Sequence, residues 1–306
     1  MNYQEFALRE DGTAKLCAYV LDPDISFRKY KTRPAMVICP GGAYLTLATK
    51  EGEAVAARWL GLGYQVFVLK YKHYCKTRPG EVGPEPIIDE ESHIPEQLVD
   101  LMGAMRIVHE HATEWDIDES RVYVMGFSAG GHLVGSLAER WDDVELLARA
   151  GTTAEQAKPA GVVMGYPMIS ARPLCRPIDE VPEQMRPSMS LMAKGIFGVE
   201  SPTQEQFDEI DLSLHVRSDM PRVFVWHTTE DTVVDPNETL AFVAAMQRTG
   251  VPCELHFYQR GPHGTSLCDE TSASSEADVQ EASAHWVAAC KRWLDIEAPR
   301  GAYCHE

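Results

Sequence analysis

Positive charge is scarce in this chain. Against 46 aspartates and glutamates stand 28 lysines and arginines, leaving a formal net charge of −18 over 306 residues. No nucleic-acid partner is expected, because binding phosphate needs a surplus of cations. Strongly anionic small molecules are disfavoured for the same reason, while neutral or cationic ones meet no such barrier. No apolar run is long enough to span a bilayer, so no membrane association is expected. The opening residues Met1-Asn2-Tyr3-Gln4-Glu5-Phe6 have neither the basic nor the apolar region of a signal peptide. The eight cysteines (Cys17, Cys39, Cys75, Cys175, Cys253, Cys268, Cys290, Cys304) contain no C-x-x-C pair. They read as reduced thiols rather than a disulfide framework, and a cytoplasmic location is the expectation. Also missing are an H-E-x-x-H motif, a clustered His/Cys set, a P-loop and a dinucleotide fingerprint, so neither a metal nor an organic cofactor is expected.

What is present is an alternation. Short β-rich runs lie at Ala35–Cys39, Gln65–Tyr71, Arg121–Gly126, Gly161–Tyr166, Arg222–His227 and Glu254–Tyr258, several of them near-continuously apolar, as parallel strands buried on both faces are. Helical stretches lie between or after them at Glu51–Leu62, Gln97–Trp115, His132–Ala138, Asn237–Arg248 and Ala282–Ile296. The Gln97–Trp115 stretch carries Leu98, Leu101, Met102, Met105 and Val108 in one helical stripe. The pattern predicts a single α/β domain over residues 1–306, with a mostly parallel sheet between two helical layers. Two stretches break it. Residues 72–95 and 168–216 read as long irregular insertions that form a lid, partial cap or pocket wall.

Gly126-Phe127-Ser128-Ala129-Gly130 follows the strand Arg121-Val122-Tyr123-Val124-Met125 and precedes a helix. This is the G-x-S-x-G nucleophile elbow in the strand–turn–helix context it requires. A tight, strained turn would lift Ser128 to the top of the sheet, and side chains at 126 or 130 would collide with neighbouring backbone. The helix beginning under the serine offers the Ala129 N–H and a positive dipole end to a developing oxyanion. Upstream, Pro40-Gly41-Gly42-Ala43-Tyr44 follows an early strand, at the place of the glycine-rich loop that completes the oxyanion hole of esterases.

The acid and base should follow in the order Ser, Asp or Glu, His. His263 sits in the glycine-flanked loop Gln259-Arg260-Gly261-Pro262-His263-Gly264 and is the expected general base. The strand ending at His227 leads into Thr228-Thr229-Glu230-Asp231-Thr232-Val233-Val234-Asp235-Pro236, where three carboxylates compete. Asp235 has a structural task in view, as the N-cap of a helix opened by Pro236 with Glu238 closing a capping box. Asp231 is the preferred acid, with Glu230 its main rival. Histidines 109, 111, 132, 227 and 256 lie in helices or strands and carry blander explanations.

Together these residues resemble the esterase/lipase branch of the α/β-hydrolases, which includes hormone-sensitive-lipase-like and bacterial acetyl-xylan-esterase-like proteins. The resemblance is carried by Cys39–Tyr44, Trp115–Asp118, Arg121–Leu133, Gly165–Ser170, Val223–Val234 and Gly250–Phe257 with Gly261–Gly264, covering most of residues 35 to 294. It implies an α/β-hydrolase fold, a triad of Ser128, Asp231 and His263, and oxyanion donors at Gly42, Ala43 and Ala129. Two features depart from the family pattern. The loop starts with Pro40 where the pattern has histidine, and its last glycine is Ala43, which still has an N–H to donate. The 72–95 stretch is longer than in compact members.

The expected function is a serine carboxylester hydrolase removing short acyl groups, acetyl foremost, from sugars or xylan-derived oligosaccharides. The expected partner is that small-molecule or oligosaccharide ester, and a homo-oligomer is compatible with the sequence. Two alternatives stand beside it: a prolyl-oligopeptidase-like peptidase, which shares fold and triad, and a non-catalytic binding protein of the same fold. Against the first, only about 34 residues precede the first core strand, too few for a propeller. Against the second, no triad member is lost.

Overall fold

Side chains that alternate along a strand face opposite layers, and here both layers are apolar. Val122 and Val124 join one core cluster, while Tyr123, Met125 and Phe127 join the other; Val223 and Val225 are set against Phe224 and Trp226 in the same way. A computed structural model describes residues 1–22, 30–77, 81–82, 85–175, 183 and 186–296. Parts of both insertions, and Cys304, lie outside the described residues.

Among the described residues one sheet contains β1 (Asn2–Ala7), β2 (Lys15–Val20), β3 (Arg33–Cys39), β4 (Gln65–Lys70), β5 (Ile117–Phe127), β6 (Gly161–Gly165), β7 (Val223–Thr228) and β8 (Cys253–Tyr258). Their order is β1-β2-β4-β3-β5-β6-β7-β8. From β4 through β8 every neighbouring pair is parallel, while β1 pairs with β2 and β2 with β4 antiparallel. The helices are α1 (Glu53–Gly61), α2 (Glu96–Glu110), α3 (Ala129–Arg140), α4 (Val144–Ala150), α5 (Ala154–Ala157), α6 (Arg186–Phe197), α7 (Gln204–Glu209), α8 (Pro236–Thr249), α9 (Glu281–Ala284) and α10 (Trp286–Asp295). Residues of α2, α3 and α8 fill one core layer, among them Leu101, Leu137 and Phe242. Trp59 of α1 and Trp286 and Cys290 of α10 fill the other. No helix among the described residues is long and apolar enough to cross a membrane.

The six parallel strands lie where the β-rich runs place them. The antiparallel β1 and β2 were not anticipated, and the elbow helix starts at Ala129 rather than His132. The stretch read as one helix over Ala282–Ile296 is broken at His285 into α9 and α10. The 168–216 insertion, expected to be irregular, contains α6 and α7. Helix α7 opens on a capping box, in which Thr203 and Gln206 satisfy each other's backbone N–H groups at 3.3 and 3.0 Å.

Asp235 does cap α8, accepting from Asn237 N at 2.9 Å, with Pro236 in the first turn. Glu238 does not close a capping box. It reaches instead to Ser170 beyond β6, accepting from Ser170 Oγ at 2.8 Å and Ser170 N at 3.3 Å. A buried serine with two donors to satisfy outcompetes an exposed helix end.

Candidate active site

Every strand from β3 to β8 delivers its carboxyl end to the same edge of the sheet, and the chemistry-bearing loops gather there. The turn after β5 carries Ser128. Ser128 has φ 53° and ψ −121°, a conformation that L-residues rarely adopt. It is pinned by Ser128 N donating to Gly165 O at 3.0 Å and by His132 N and Met168 N donating to Ser128 O at 3.1 Å. Glycine is required on both sides. A Cβ at Gly126 would lie 1.9 Å from Gly130 O, and one at Gly130 would lie 2.0 Å from Cys39 O. The turn thus packs its backbone directly against the end of β3 and leaves Ser128 partly exposed.

Three side chains chosen from separate segments stand in line. His263 Nε2 lies 2.9 Å from Ser128 Oγ, and His263 Nδ1 lies 2.6 Å from Asp231 Oδ2. An ionised carboxylate only accepts, so Nδ1 carries the proton and Nε2 is left to accept the serine hydroxyl. Asp231 is buried and takes four donors. Its Oδ2 accepts from His263 and from His227 Nε2 at 2.9 Å, and its Oδ1 accepts from Val233 N and Val234 N at 2.9 and 3.0 Å. Burial by itself would push the Asp231 carboxyl up, but the hydrogen bonds from His227 and His263, the charge of His263 and the Val234 amide outweigh it. They hold the group well below the usual carboxylate range.

Glu230, the rival acid, does different work: it accepts from Gly261 N at 3.2 Å. Thr228 Oγ1 and Thr229 Oγ1 donate to Gly261 O and Gln259 O at 2.7 and 2.6 Å. The segment after β7 therefore supplies a carboxylate to the histidine and also holds the loop that carries it.

His227, set aside as a strand histidine, belongs to this group. Its ring is fully buried, with Nε2 donating to Asp231 and Nδ1 accepting from Thr239 Oγ1 at 2.8 Å. An H-x-x-x-D spacing from a strand end into a loop was the signal available for it.

The loop after β3 is clamped at almost every residue. Pro40 O accepts from Tyr71 Oη at 2.6 Å, Gly41 N donates to Glu51 Oε2 at 2.7 Å, and Gly42 O accepts from Leu45 N and Thr46 N at 3.0 and 3.1 Å. Tyr44 O accepts from Tyr74 N at 2.9 Å. Gly42 has φ 124°, and a Cβ there would fall 2.1 Å from Thr46 O, so this position admits only glycine. Ala43 and Tyr44 follow at φ 57° and 60°, which shows that alanine does take up the left-handed backbone the loop demands. Gly42 and Ala43 remain partly exposed. Ala129 opens α3, where the first N–H groups have no intrahelical acceptor. Among the described residues, no group of three or more His, Cys, Asp or Glu side chains is gathered to hold a metal ion.

His132, in the helix behind the serine, supports the loop from below. Its Nε2 faces Ile210 O at 2.8 Å and therefore carries the proton, so Nδ1 accepts the Tyr44 hydroxyl at 2.8 Å. Burial pushes its pKa down to about 4. Between there and the ordinary value of about 6.5, the unfolded chain binds a proton that the folded chain refuses, so stability falls as pH drops through that window. The loss by pH 4 is expected to reach about 3 kcal/mol. Urea unfolding at pH 7 and pH 4.5 should show a shallower loss for His132→Gln than for wild type. Equal losses would contradict the assignment.

A family model described as an alpha/beta hydrolase fold matches residues 91–267, more than half of the chain. The chain belongs to the α/β-hydrolases. This α/β-hydrolase is 28% identical over 262 residues to "Endo-1,4-beta-xylanase B" of Butyrivibrio fibrisolvens, covering 83% of this chain and 35% of that protein. It is 26% identical over 262 residues to "Acetylxylan esterase" of Xylanibacter ruminicola, covering 84% of this chain and 45% of that protein. The chain thus spans less than half the length of these two curated relatives. Among solved structures, a sugar hydrolase from Lactococcus lactis superposes with a TM-score of 0.72 at 27% identity, covering 97% of this chain and 98% of that one.

Proposed function

We propose that this α/β-hydrolase is a serine carboxylester hydrolase that removes short acyl groups, acetyl foremost, from sugars or xylan-derived oligosaccharides. The observation that carries the reading is the unbroken line from Ser128 Oγ through His263 to Asp231 Oδ2, at 2.9 and 2.6 Å. Ser128 attacks the ester carbonyl while His263 Nε2 takes its proton, and the oxygen's new charge is met by the N–H groups of Gly42, Ala43 and Ala129. His263 returns the proton to the departing sugar oxygen as its bond to the acyl carbon breaks, and water then attacks the acyl-enzyme by the same route. Asp231 fixes the imidazole and stabilises its charged form.

The acetyl-sugar part draws its support from the likeness to an acetylxylan esterase and to a sugar hydrolase. A site that cut the xylan chain itself would need two carboxyl groups flanking the glycosidic bond. Among the described residues, the carboxylates bonded to His263 and to the loop after β3, Asp231 and Glu51, are both buried, which favours ester cleavage over glycoside cleavage. We place the reaction in the cytoplasm, where acetylated oligosaccharides rather than polymer are met; the seven described cysteines, all unpaired thiols, support this.

Rates on p-nitrophenyl esters of increasing acyl length should fall steadily from acetate, and acetylated xylo-oligosaccharides should release acetate. Aminoacyl-p-nitroanilides should resist cleavage. Preferred hydrolysis of the anilides would overturn the esterase reading, and failure to release acetate from the oligosaccharides would remove its sugar part.

A further inference from the structure

Glu51 is a carboxylate with no exposure to solvent to speak of, in a chain segment that reads as an ordinary acidic helix start, Lys50-Glu51-Gly52-Glu53. Burying such a group is costly unless its oxygens are engaged, and both are. Oε2 accepts from Gly41 N at 2.7 Å and Oε1 accepts from Tyr166 Oη at 2.7 Å. Tyr166 Oη in turn accepts from Ser266 N at 2.9 Å, three residues past His263, and the Tyr166 ring meets the His263 ring edge-on at 5.0 Å. A second bond runs alongside, from Ser266 Oγ to Lys50 O at 2.8 Å. Space is as tight as the bonding. A Cβ at Gly41 would fall 2.8 Å from Ser128 Cβ and 2.9 Å from Glu51 Oε2, so loop, elbow and carboxylate are stacked without a gap. Burial pushes the Glu51 carboxyl above its ordinary value, outweighing Tyr166, the Gly41 amide and the charge of His263, which favour the ionised form.

We infer that Glu51 is a positioning residue that ties the oxyanion loop to the histidine loop, through Gly41 on one side and Tyr166 and Ser266 on the other. The inference rests on the esterase reading above. The Gly41 N–H is taken by Glu51, and that bond orients the peptide preceding the Gly42 N–H, which is left for the substrate. The same carboxylate, one tyrosine further on, sets where His263 stands relative to those donors. A carboxylate is suited to this because it accepts on both oxygens. A glutamine can accept on only one, so it must leave either Gly41 N or the Tyr166 hydroxyl proton unmatched.

The test is steady-state hydrolysis of p-nitrophenyl acetate by wild type, Glu51→Gln, Glu51→Leu, Tyr166→Phe and the double variant Glu51→Leu/Tyr166→Phe, with urea midpoints recorded for each. Misplaced oxyanion donors cost transition-state stabilisation rather than ester binding, so kcat should fall while KM stays within about threefold. The expected drops in kcat are about 100-fold for Glu51→Leu and about 10-fold for Glu51→Gln and Tyr166→Phe. If the tie acts as a unit, the double variant is no slower than Glu51→Leu alone.

A well-folded Glu51→Leu within twofold of wild type in kcat overturns the inference, as does a double variant whose loss is the product of the two single losses. Should Glu51→Leu fail to fold, the two milder variants decide: wild-type kcat in both overturns it. A wild-type protein that hydrolyses no ester and whose Ser128 takes up no fluorophosphonate overturns the esterase reading along with this one. Active wild type with unaffected variants overturns this one alone.

Discussion

Ser128→Ala is expected to fold as wild type does and to hydrolyse p-nitrophenyl acetate at least about 10⁴-fold more slowly. The loss is large because His263 Nε2, 2.9 Å from the Ser128 oxygen, would have no hydroxyl to activate. What remains is what the oxyanion donors and substrate binding give a passing water. The fold survives because the strain at φ 53° is borne by the backbone, through the bonds from Ser128 N to Gly165 O and from His132 N to Ser128 O. Alanine bears that strain as serine does. Ester kinetics and fluorophosphonate labelling, with a urea midpoint as the control, check both halves. A folded Ser128→Ala that kept a tenth of wild-type activity would place the nucleophile elsewhere.

Asp231→Asn should be nearly as damaging, by about 10⁴-fold in kcat, and for a reason specific to this site. Four donors converge on the carboxylate, two imidazoles on Oδ2 and two amides on Oδ1. An asparagine has one oxygen, so its NH₂ must face either the two histidines or the two backbone N–H groups. Facing the histidines, it forces the His263 proton from Nδ1 to Nε2, where it can no longer accept from serine. Facing the amides, it leaves the Val233 and Val234 N–H groups unmatched, the second of them buried, which destabilises the loop itself. Asp235→Ala, four residues on, removes only the cap of α8 and should cost about 1 kcal/mol with kcat unchanged. Glu230→Gln keeps an oxygen for Gly261 N and should sit close to wild type. A Glu230→Gln variant slower than Asp231→Asn would reverse the assignment of the acid.

The parts of this molecule that were legible in its sequence are those whose physics is local. Parallel strands buried on both faces must be apolar throughout, so β3 to β7 announce themselves, while β8 is a half-buried edge with a mixed sequence. β1 does not, because Asn2–Ala7 is an exposed edge with no buried face to enforce a pattern. The elbow was legible because the glycine at 126 answers a collision with the backbone of Gly130, four residues on. The histidine loop was legible from its flanking glycines. Glu51 was not, since nothing near it in the chain distinguishes a helix-start glutamate from one that bonds to a residue far away, and of His227 only the H-x-x-x-D spacing to Asp231 was local. Their partners lie on other segments: Thr239 on α8, Gly41 after β3 and Tyr166 after β6. Glu238 shows the converse, a local capping signal overridden by a distant serine. Helix α7 was within reach, because Thr203-x-x-Gln206 is a local signature.

Ala43 and Tyr44 hold consecutive left-handed conformations, each costing an L-residue roughly 1–2 kcal/mol. Glycine at 43 would relieve that cost, yet it would also give the segment freedom that would have to be surrendered again on binding the ester of the proposed function. The clamped, strained loop is therefore a form of preorganisation. Under the proposed function its N–H groups would be aligned before any substrate arrives, with the entropy of aligning them charged to folding instead of to the reaction barrier.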